Sequence, residues 1–223
     1  MNDDLWKKFF MKNPWEDFTP LEISDNFGWH SDHPAFQMLI DDKASLIIEV
    51  GTWKGASAIT MLKIMKANGI ENPRIICVDT WLGGVEHWDM PDDPTNKEKG
   101  WTYHMLNWKH GRPDIYSQFM SNIAKEGLTD CVVPISQTSD NAFKLLKKQE
   151  IEADVIYIDA SHEYEDVYRD LVNYWQLLKK GGIMFGDDVG WDGVKNAVQA
   201  FSSEIGVNFD IIDGNYFVFE KGT

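Results

Sequence analysis

Two stretches of this chain constrain its fold more than anything else in the sequence. In DVIYIDASHEYEDV, apolar residues run from Val155 to Ile158 and stop at Asp159. In GGIMFGDDVGWDGV, Ile183 to Phe185 run into Gly186, Asp187 and Asp188. A continuous apolar run that ends abruptly in acids reads as a buried parallel strand with its acids at the C-terminal edge. Open α/β sheets bind ligands at that edge. Three carboxylates meeting there repel one another unless a positive charge sits between them. A hard divalent cation, Mg²⁺ or similar, suits oxygen ligands of this kind. The competing reading is that Asp187 or Asp188 only caps the turn that follows.

The rest of the chain repeats the strand–helix rhythm. Leu46 to Val50 reads as a buried strand, followed by a glycine turn from Gly51 to Gly55 and a helix over about 57–67 with Gly69 as its stop. Ile75 to Val78 is a second strand, ending at Asp79, and Cys131 to Ile135 a third. Helices are expected over 114–125 and 141–148. After Asp159, the spacing of Val167, Leu171, Trp175 and Leu178 predicts a helix that Gly181 stops. Asp192 is placed to cap a last helix carrying Val194, Ala197, Val198 and Phe201. FDII, an Asp213-Gly214 turn and YFVFE read as a closing hairpin. Alternating βα units with an antiparallel finish predict a doubly wound α/β sheet.

Two regions break the rhythm. Residues 1–44 are rich in aromatics and acids and are expected to form short helices as a cap ahead of the core domain, 45–223. Residues 81–113 form a long polar and aromatic insert with Gly83, Gly84, Pro91, Pro94 and Gly111 as breakers. Connections of that length are usually functional or disordered, and its Trp88, Trp101, Trp108, His87, His104 and His110 favour a lid or substrate cap. The ten tryptophans fit either a packed cap or a substrate pocket.

Composition narrows the partners. A net charge of −15 disfavours nucleic acid. No apolar stretch reaches the roughly 20 residues of a membrane helix. The N-terminus, MNDDLWKKFFMKN, lacks the pattern of a signal peptide. Cys77 and Cys131 are expected as buried free thiols, which fits a reducing cytoplasm. A small molecule is the expected substrate, and the aromatic N-terminal segment could pack on a second copy as a homo-oligomer.

In IIEVGTWKGAS, Gly51 permits close approach of a ligand to the backbone and Gly55 a tight entry to the helix, whose N-terminus can hold a carboxylate. Trp53 stands where a dinucleotide fingerprint needs its second glycine. Asp79 can accept two ribose hydroxyls. The chain here resembles the class I S-adenosylmethionine-dependent methyltransferases: EVGTWKGAS is similar to their first motif and the acid closing ICVD to their ribose ligand. The similarity runs from about Leu46 to Glu220. It is nearest to the small-molecule O-methyltransferases that use a divalent metal, in the cephalosporin-hydroxylase-associated, macrocin-type and catechol-type branches.

That resemblance implies a seven-stranded, mostly parallel Rossmann-like sheet with a C-terminal antiparallel hairpin. It implies Glu49 and Gly51 beside the methionine part of the cofactor, with Thr52 and Trp53 completing the turn. Ser57 would contact the carboxylate and Asp79 the ribose. Adenine contacts would fall on Gln137 or Ser139, with Asp159 near the cofactor and Trp81 as an aromatic platform. The metal ligands map onto Asp159, Asp187 and Asp188. His162, three positions after Asp159, occupies the general-base offset where the catechol-type relatives usually have lysine, and its ordinary pKa suits proton abstraction near neutral pH. His162 could instead orient Asp159 or cap the helix starting near Glu163. His30 and His33 lack the pattern of a separate metal site and are expected in a loop that touches substrate or packs on the core.

The function this implies is S-adenosylmethionine-dependent, metal-assisted O-methylation of a small hydroxylated molecule. Aminopropyl transfer on the same fold is the alternative, disfavoured by a Ser57 and helix terminus suited to a carboxylate. A non-catalytic cofactor-binding scaffold is the other.

Overall fold

The computed structural model describes residues 5–92 and 100–222. After a 3₁₀ turn at Leu5–Lys8 come α1 (Ala35–Leu39), β1 (Leu46–Val50), α2 (Ala56–Ala67) and β2 (Arg74–Asp79). A 3₁₀ turn at Val85–Trp88 and α3 (Trp101–His104) lie in the insert. Then follow α4 (Ile115–Lys125), β3 (Val132–Ser136), α5 (Ser139–Lys148), β4 (Ala153–Ile158), α6 (Tyr164–Trp175), β5 (Leu178–Gly186), α7 (Asp192–Ile205), β6 (Asp210–Ile212) and β7 (Tyr216–Glu220).

The strands form one seven-stranded sheet in the order β3-β2-β1-β4-β5-β7-β6. β1 to β5 pair in parallel, and β7 runs antiparallel to both β5 and β6. Strand order reverses between β1 and β4, which opens the crevice at their C-terminal ends where such sheets take ligands.

Side-chain alternation along each strand divides the core into two layers. Ile47, Ile75, Cys77, Val155, Tyr157 and Phe185 pack with Met61, Leu62 and Met65 of α2 and Phe119 and Ile123 of α4. Ile48, Val50, Ile76, Ile156, Ile158 and Met184 pack with Phe143 of α5, Val167 and Leu171 of α6 and Phe201 of α7. Both cysteines are free and buried; Cys131 ends a 3₁₀ turn just before β3 rather than lying in the strand. Among the described residues no helix is long and apolar enough to cross a membrane.

Several sequence expectations need correction. Among the described residues, the N-terminal region holds two short helical pieces, the Leu5–Lys8 turn and the five-residue α1. Between them the chain is an irregular strap whose backbone is satisfied by side chains of α4. Ser121 Oγ accepts from Leu21 N at 2.9 Å, Asn122 Nδ2 donates to the Asp25 carbonyl at 2.8 Å, and Lys125 Nζ donates to the Glu22 carbonyl at 2.8 Å. Helix α6 stops at Trp175, and its buried face carries Val167, Leu171 and Tyr174. Leu178 opens β5 instead, paired with Ala153. Gly181, at φ +77°, lies where the β4–β5 register shifts, so it makes a strand irregularity rather than a helix stop. Trp191, not Asp192, is the N-cap of α7, with no side-chain capping bond; Asp192 occupies the first helical position, where a negative charge suits the helix dipole. Pro94 lies outside the described residues.

Candidate active site

The turn after β1 is closed by its own neighbours. Gly51 has φ +85°, and a Cβ there would lie 1.8 Å from the Asp159 carbonyl oxygen. Only glycine allows β1 and β4 to approach so closely at the crevice. Asp79 Oδ2 accepts from the amides of Thr52 at 2.9 Å and Trp53 at 2.7 Å, and its Oδ1 from Trp81 N at 2.7 Å. The acid expected to meet a ribose is therefore also the clamp that shapes the turn. Burial pushes the Asp79 carboxyl above its ordinary pKa, and these amide bonds pull it back.

Alternation along β1 turns Glu49 toward α2, where it is fully buried. Ser57 donates its hydroxyl hydrogen to Glu49, and Cys77 Sγ lies 3.7 Å from the other carboxylate oxygen. Desolvation pushes Glu49 up to about 8, with Asp159 adding to the rise. Ser57 thus orients Glu49. The N-terminus of α2 has Gly55 as its cap, with no side-chain capping bond, so its first amides suit an anion. On the far rim, Gln137 is exposed and bonded through its amide to the Asp79 carbonyl at 3.1 Å. Ser139 begins α5, its carbonyl accepting from Tyr174 Oη at 2.9 Å.

The ends of β4 and β5 bring the three acids together. Ile158 pairs with Gly186, so Asp159 and Asp187 leave neighbouring strands side by side. Burial, then the charges of Asp187 and Asp188, push Asp159 up to about 7. Each acid leans on a partner from the chain. Tyr157 Oη donates to Asp159 Oδ2 at 2.9 Å. Asp187 Oδ1 accepts from Asp188 N at 2.6 Å and from Asn215 Nδ2, while His30 Nδ1 lies 3.5 Å from Oδ2. Asp188 Oδ2 lies 2.9 Å from His162 Nε2. Among the described residues, no three histidine, cysteine or acidic side chains are arranged as a group able to hold a metal ion.

His162 faces this cluster, with its ring stacked on Trp191 at 4.8 Å and 12°. The bond to Asp188 raises its pKa, against the effect of burial. Neither remaining role suggested by the sequence, capping α6 or orienting Asp159, is seen as a hydrogen bond: the N-cap is Glu163 and the ring bonds Asp188.

Three elements join the site that the strand pattern did not point to. His30 reaches Asp187, whereas His33 packs its ring on Tyr216 at 4.8 Å and lies 3.6 Å from Asp213. Asn215 arrives through the Asp213-Gly214 turn, and only that turn signal could have placed it. His87 of the insert stacks near Trp53 at 4.8 Å, and Trp29 lies 5.7 Å from Trp53 and 5.9 Å from Trp101. The strap and the insert therefore meet over the glycine turn as an aromatic wall. Trp81 is not part of it: only 2% exposed, its ring packs on Tyr116 and Phe119 and its Nε1 donates to the Trp53 carbonyl at 2.8 Å. Its ring is therefore core, not a platform for a base.

Residues 48–189 match the methyltransferase-domain family, a span that covers both the glycine turn and the acidic cluster. No curated protein shows significant sequence similarity to the chain. Among solved structures, the O-methyltransferase NovP is similar at a TM-score of 0.63 and 18% identity, covering 85% of this chain and 78% of its own. The O-methyltransferase TomG from Streptomyces achromogenes, solved with S-adenosylmethionine, has a TM-score of 0.61 at 12% identity, covering 89% and 83%. An O-methyltransferase from Bacillus cereus, solved with S-adenosylhomocysteine, has a TM-score of 0.59 at 16% identity, covering 91% and 84%. With its strand order, its glycine turn and the matched segment all in agreement, the chain belongs to the methyltransferase-domain family and has the class I S-adenosylmethionine-dependent methyltransferase fold.

Proposed function

We propose that the protein transfers the methyl group of S-adenosylmethionine to a hydroxyl of a small molecule, with His162 as the general base. The observation that carries this reading is the 2.9 Å contact of His162 Nε2 with Asp188, at the sheet edge beside the cofactor turn. With Asp188 accepting from Nε2–H, Nδ1 is the lone pair left to take the hydroxyl proton, and Asp188 stabilises the imidazolium that results. The Trp191 ring fixes the imidazole plane. The similar structures NovP and TomG are O-methyltransferases, which supports oxygen as the acceptor. Family membership favours methyl transfer over aminopropyl transfer or a non-catalytic scaffold.

In this reading the cofactor lies across the ends of β1 and β4. The N-terminus of α2 receives its carboxylate, Glu49 and Gly51 flank its methionine part, and Asp79 accepts from its ribose, with Gln137 or Ser139 at the adenine. Thr52 and Trp53 shape the turn. Bringing the acceptor oxygen in line with the methyl group is the main catalytic task, because orientation lowers the barrier without new chemistry. The aromatic wall of Trp29 from residues 1–44, Trp53 of the glycine turn and Trp101 of the insert 81–113 is the proposed substrate side.

A divalent cation, Mg²⁺ or similar, is the finer part of the proposal. The chemistry of the donor set supports it. Burial first, and then the charges of Asp187 and Asp188, push Asp159 up to about 7, and a cation would relieve the repulsive part. Asp159 Oδ1 and Asp188 Oδ1 have no hydrogen-bond partner among the described residues. When bound, such an ion supplies acidity to a coordinated hydroxyl. Asp159, Asp187 and Asp188 would hold it after turning from the partners they have here, since they are not arranged as a metal-binding group among the described residues.

The test is methyl transfer to a panel of small hydroxylated acceptors, with and without chelator. His162→Ala should lower the rate by about 10²–10⁴-fold with cofactor affinity unchanged. Chelator should lower activity and added Mg²⁺ restore it, and Asp188→Ala should remove that response. Full activity in chelator would strike the ion from the mechanism. A His162→Ala enzyme at the wild-type rate would strike the base.

A further inference from the structure

Lys54 sits in the glycine turn, two residues past Thr52, yet its side chain is completely buried. Lysine is rarely buried unless paired, because desolvating its charge is costly. Its ammonium bonds Asp25 Oδ2 of the N-terminal strap at 2.5 Å and lies 5.4 Å from the centre of the Trp53 ring. A second link lies beside the first. Asn122 Nδ2 of α4 donates both to the Lys54 carbonyl at 2.9 Å and to the Asp25 carbonyl at 2.8 Å. Gln118 Nε2 holds Asn122 in that orientation, donating to its Oδ1 at 2.9 Å. Gln118 and Asn122 are themselves buried polar residues.

The Asp25 side chain at the other end of the pair is 40% exposed, so the desolvation falls on Lys54, and a strap that only covered the core could be tied down by apolar contacts instead. Here a charge pair and a shared amide join the strap to the turn proposed to receive the cofactor. The same turn is held on its other side by Asp79 through the Thr52 and Trp53 amides. Its geometry is therefore fixed from two directions, one of them the strap.

We propose that Lys54 is a positioning residue, which through Asp25 and Asn122 couples the order of the N-terminal strap to the shape of the cofactor turn. The proposal rests on the reading that this turn receives the cofactor. Loss of the ion pair releases the strap and relaxes the turn together, and the effect falls on cofactor binding rather than on the chemical step.

Two variants of the full chain test it: Lys54→Met, and Asp25→Asn, which removes the charge but keeps the backbone bonds. Hydrogen exchange on the cofactor-free proteins should rise at residues 51–57 as well as 21–30. KM for S-adenosylmethionine should rise by about fivefold or more, with kcat within about twofold of wild type. Faster exchange in the strap alone, or a lower melting temperature with KM unchanged, would make Lys54 a plain structural tether and overturn the proposal. If Lys54→Met does not fold, Asp25→Asn decides by the same readouts. A wild-type protein that bound no cofactor would defeat the methyltransferase reading, while the exchange measurement would still decide the coupling.

Discussion

The two halves of the crevice are built differently. At the ends of β1 and β2 the shape comes from backbone: glycines at positive φ, and amides of Thr52, Trp53 and Trp81 gathered on one carboxylate. At the ends of β4 and β5 it comes from side chains of like charge: Asp159 is held by Tyr157 of its own strand, Asp187 by His30 of the strap and Asn215 of the hairpin, and Asp188 by His162 of the loop before α6. Backbone geometry is hard to perturb except sterically, so the first half suits binding a constant ligand. Side-chain clusters respond to protons, ions and single substitutions, so the second half suits chemistry.

The sharpest way to break this contrast is steric. Gly51→Ala places a methyl group against the Asp159 carbonyl at a backbone angle alanine rarely adopts. It should abolish measurable cofactor binding and lower the melting temperature markedly, as strain and overpacking together cost about 2 kcal/mol or more. Calorimetry and thermal melts check both. A Gly51→Ala protein that binds as wild type does would mean that the strands are not held this close. Removing His162 from the other half should instead leave binding and fold intact while the rate falls.

A smaller effect distinguishes the halves by pH. Glu49 is raised to about 8 and Asp159 to about 7, so between the ordinary carboxylate range and these values the folded state holds more protons than the unfolded. Stability should accordingly fall as pH rises through that window, in protein free of metal. Buried Asp170, pushed up to about 7, adds to the same decline, so Glu49→Gln removes one of these three groups and should reduce the fall of the melting temperature between about pH 5 and about pH 8. An unchanged slope would show that Glu49 does not carry the excess proton.

Much of this architecture was legible in the sequence because it is local. Apolar runs that stop at Val50, Asp79, Asp159 and Asp187 mark strand ends, and strand ends of a doubly wound sheet converge. That Asp159, Asp187, Asp188 and His162 share an edge follows from the same logic. The partners of those residues were not legible, since His30 and Asn215 reach Asp187 from distant positions of the chain with no periodic pattern to announce it. Leu178 shows the limit of periodicity: it keeps helical spacing with Val167 and Leu171, but the pairing of β4 with β5 begins early and claims it. Trp81 shows another, because a tryptophan after a strand-ending acid fits a ligand platform or the core equally well until its neighbours are known. The strap resisted reading for a third reason. Its order comes from buried polar side chains on α4, and a polar residue on a helix gives no sign in sequence of what it will bond.

The most direct test is calorimetric titration of S-adenosylmethionine into the wild-type protein and into Asp79→Ala. The wild type should bind at one site per chain. The variant should bind at least about tenfold more weakly, since it loses the clamp on the turn and, with it, the proposed acceptor for the ribose, a charged hydrogen bond being worth about 1.5–3 kcal/mol. Equal affinity in a folded Asp79→Ala protein would place the cofactor somewhere other than the crevice between β1 and β4, and would contradict the assignment of this site.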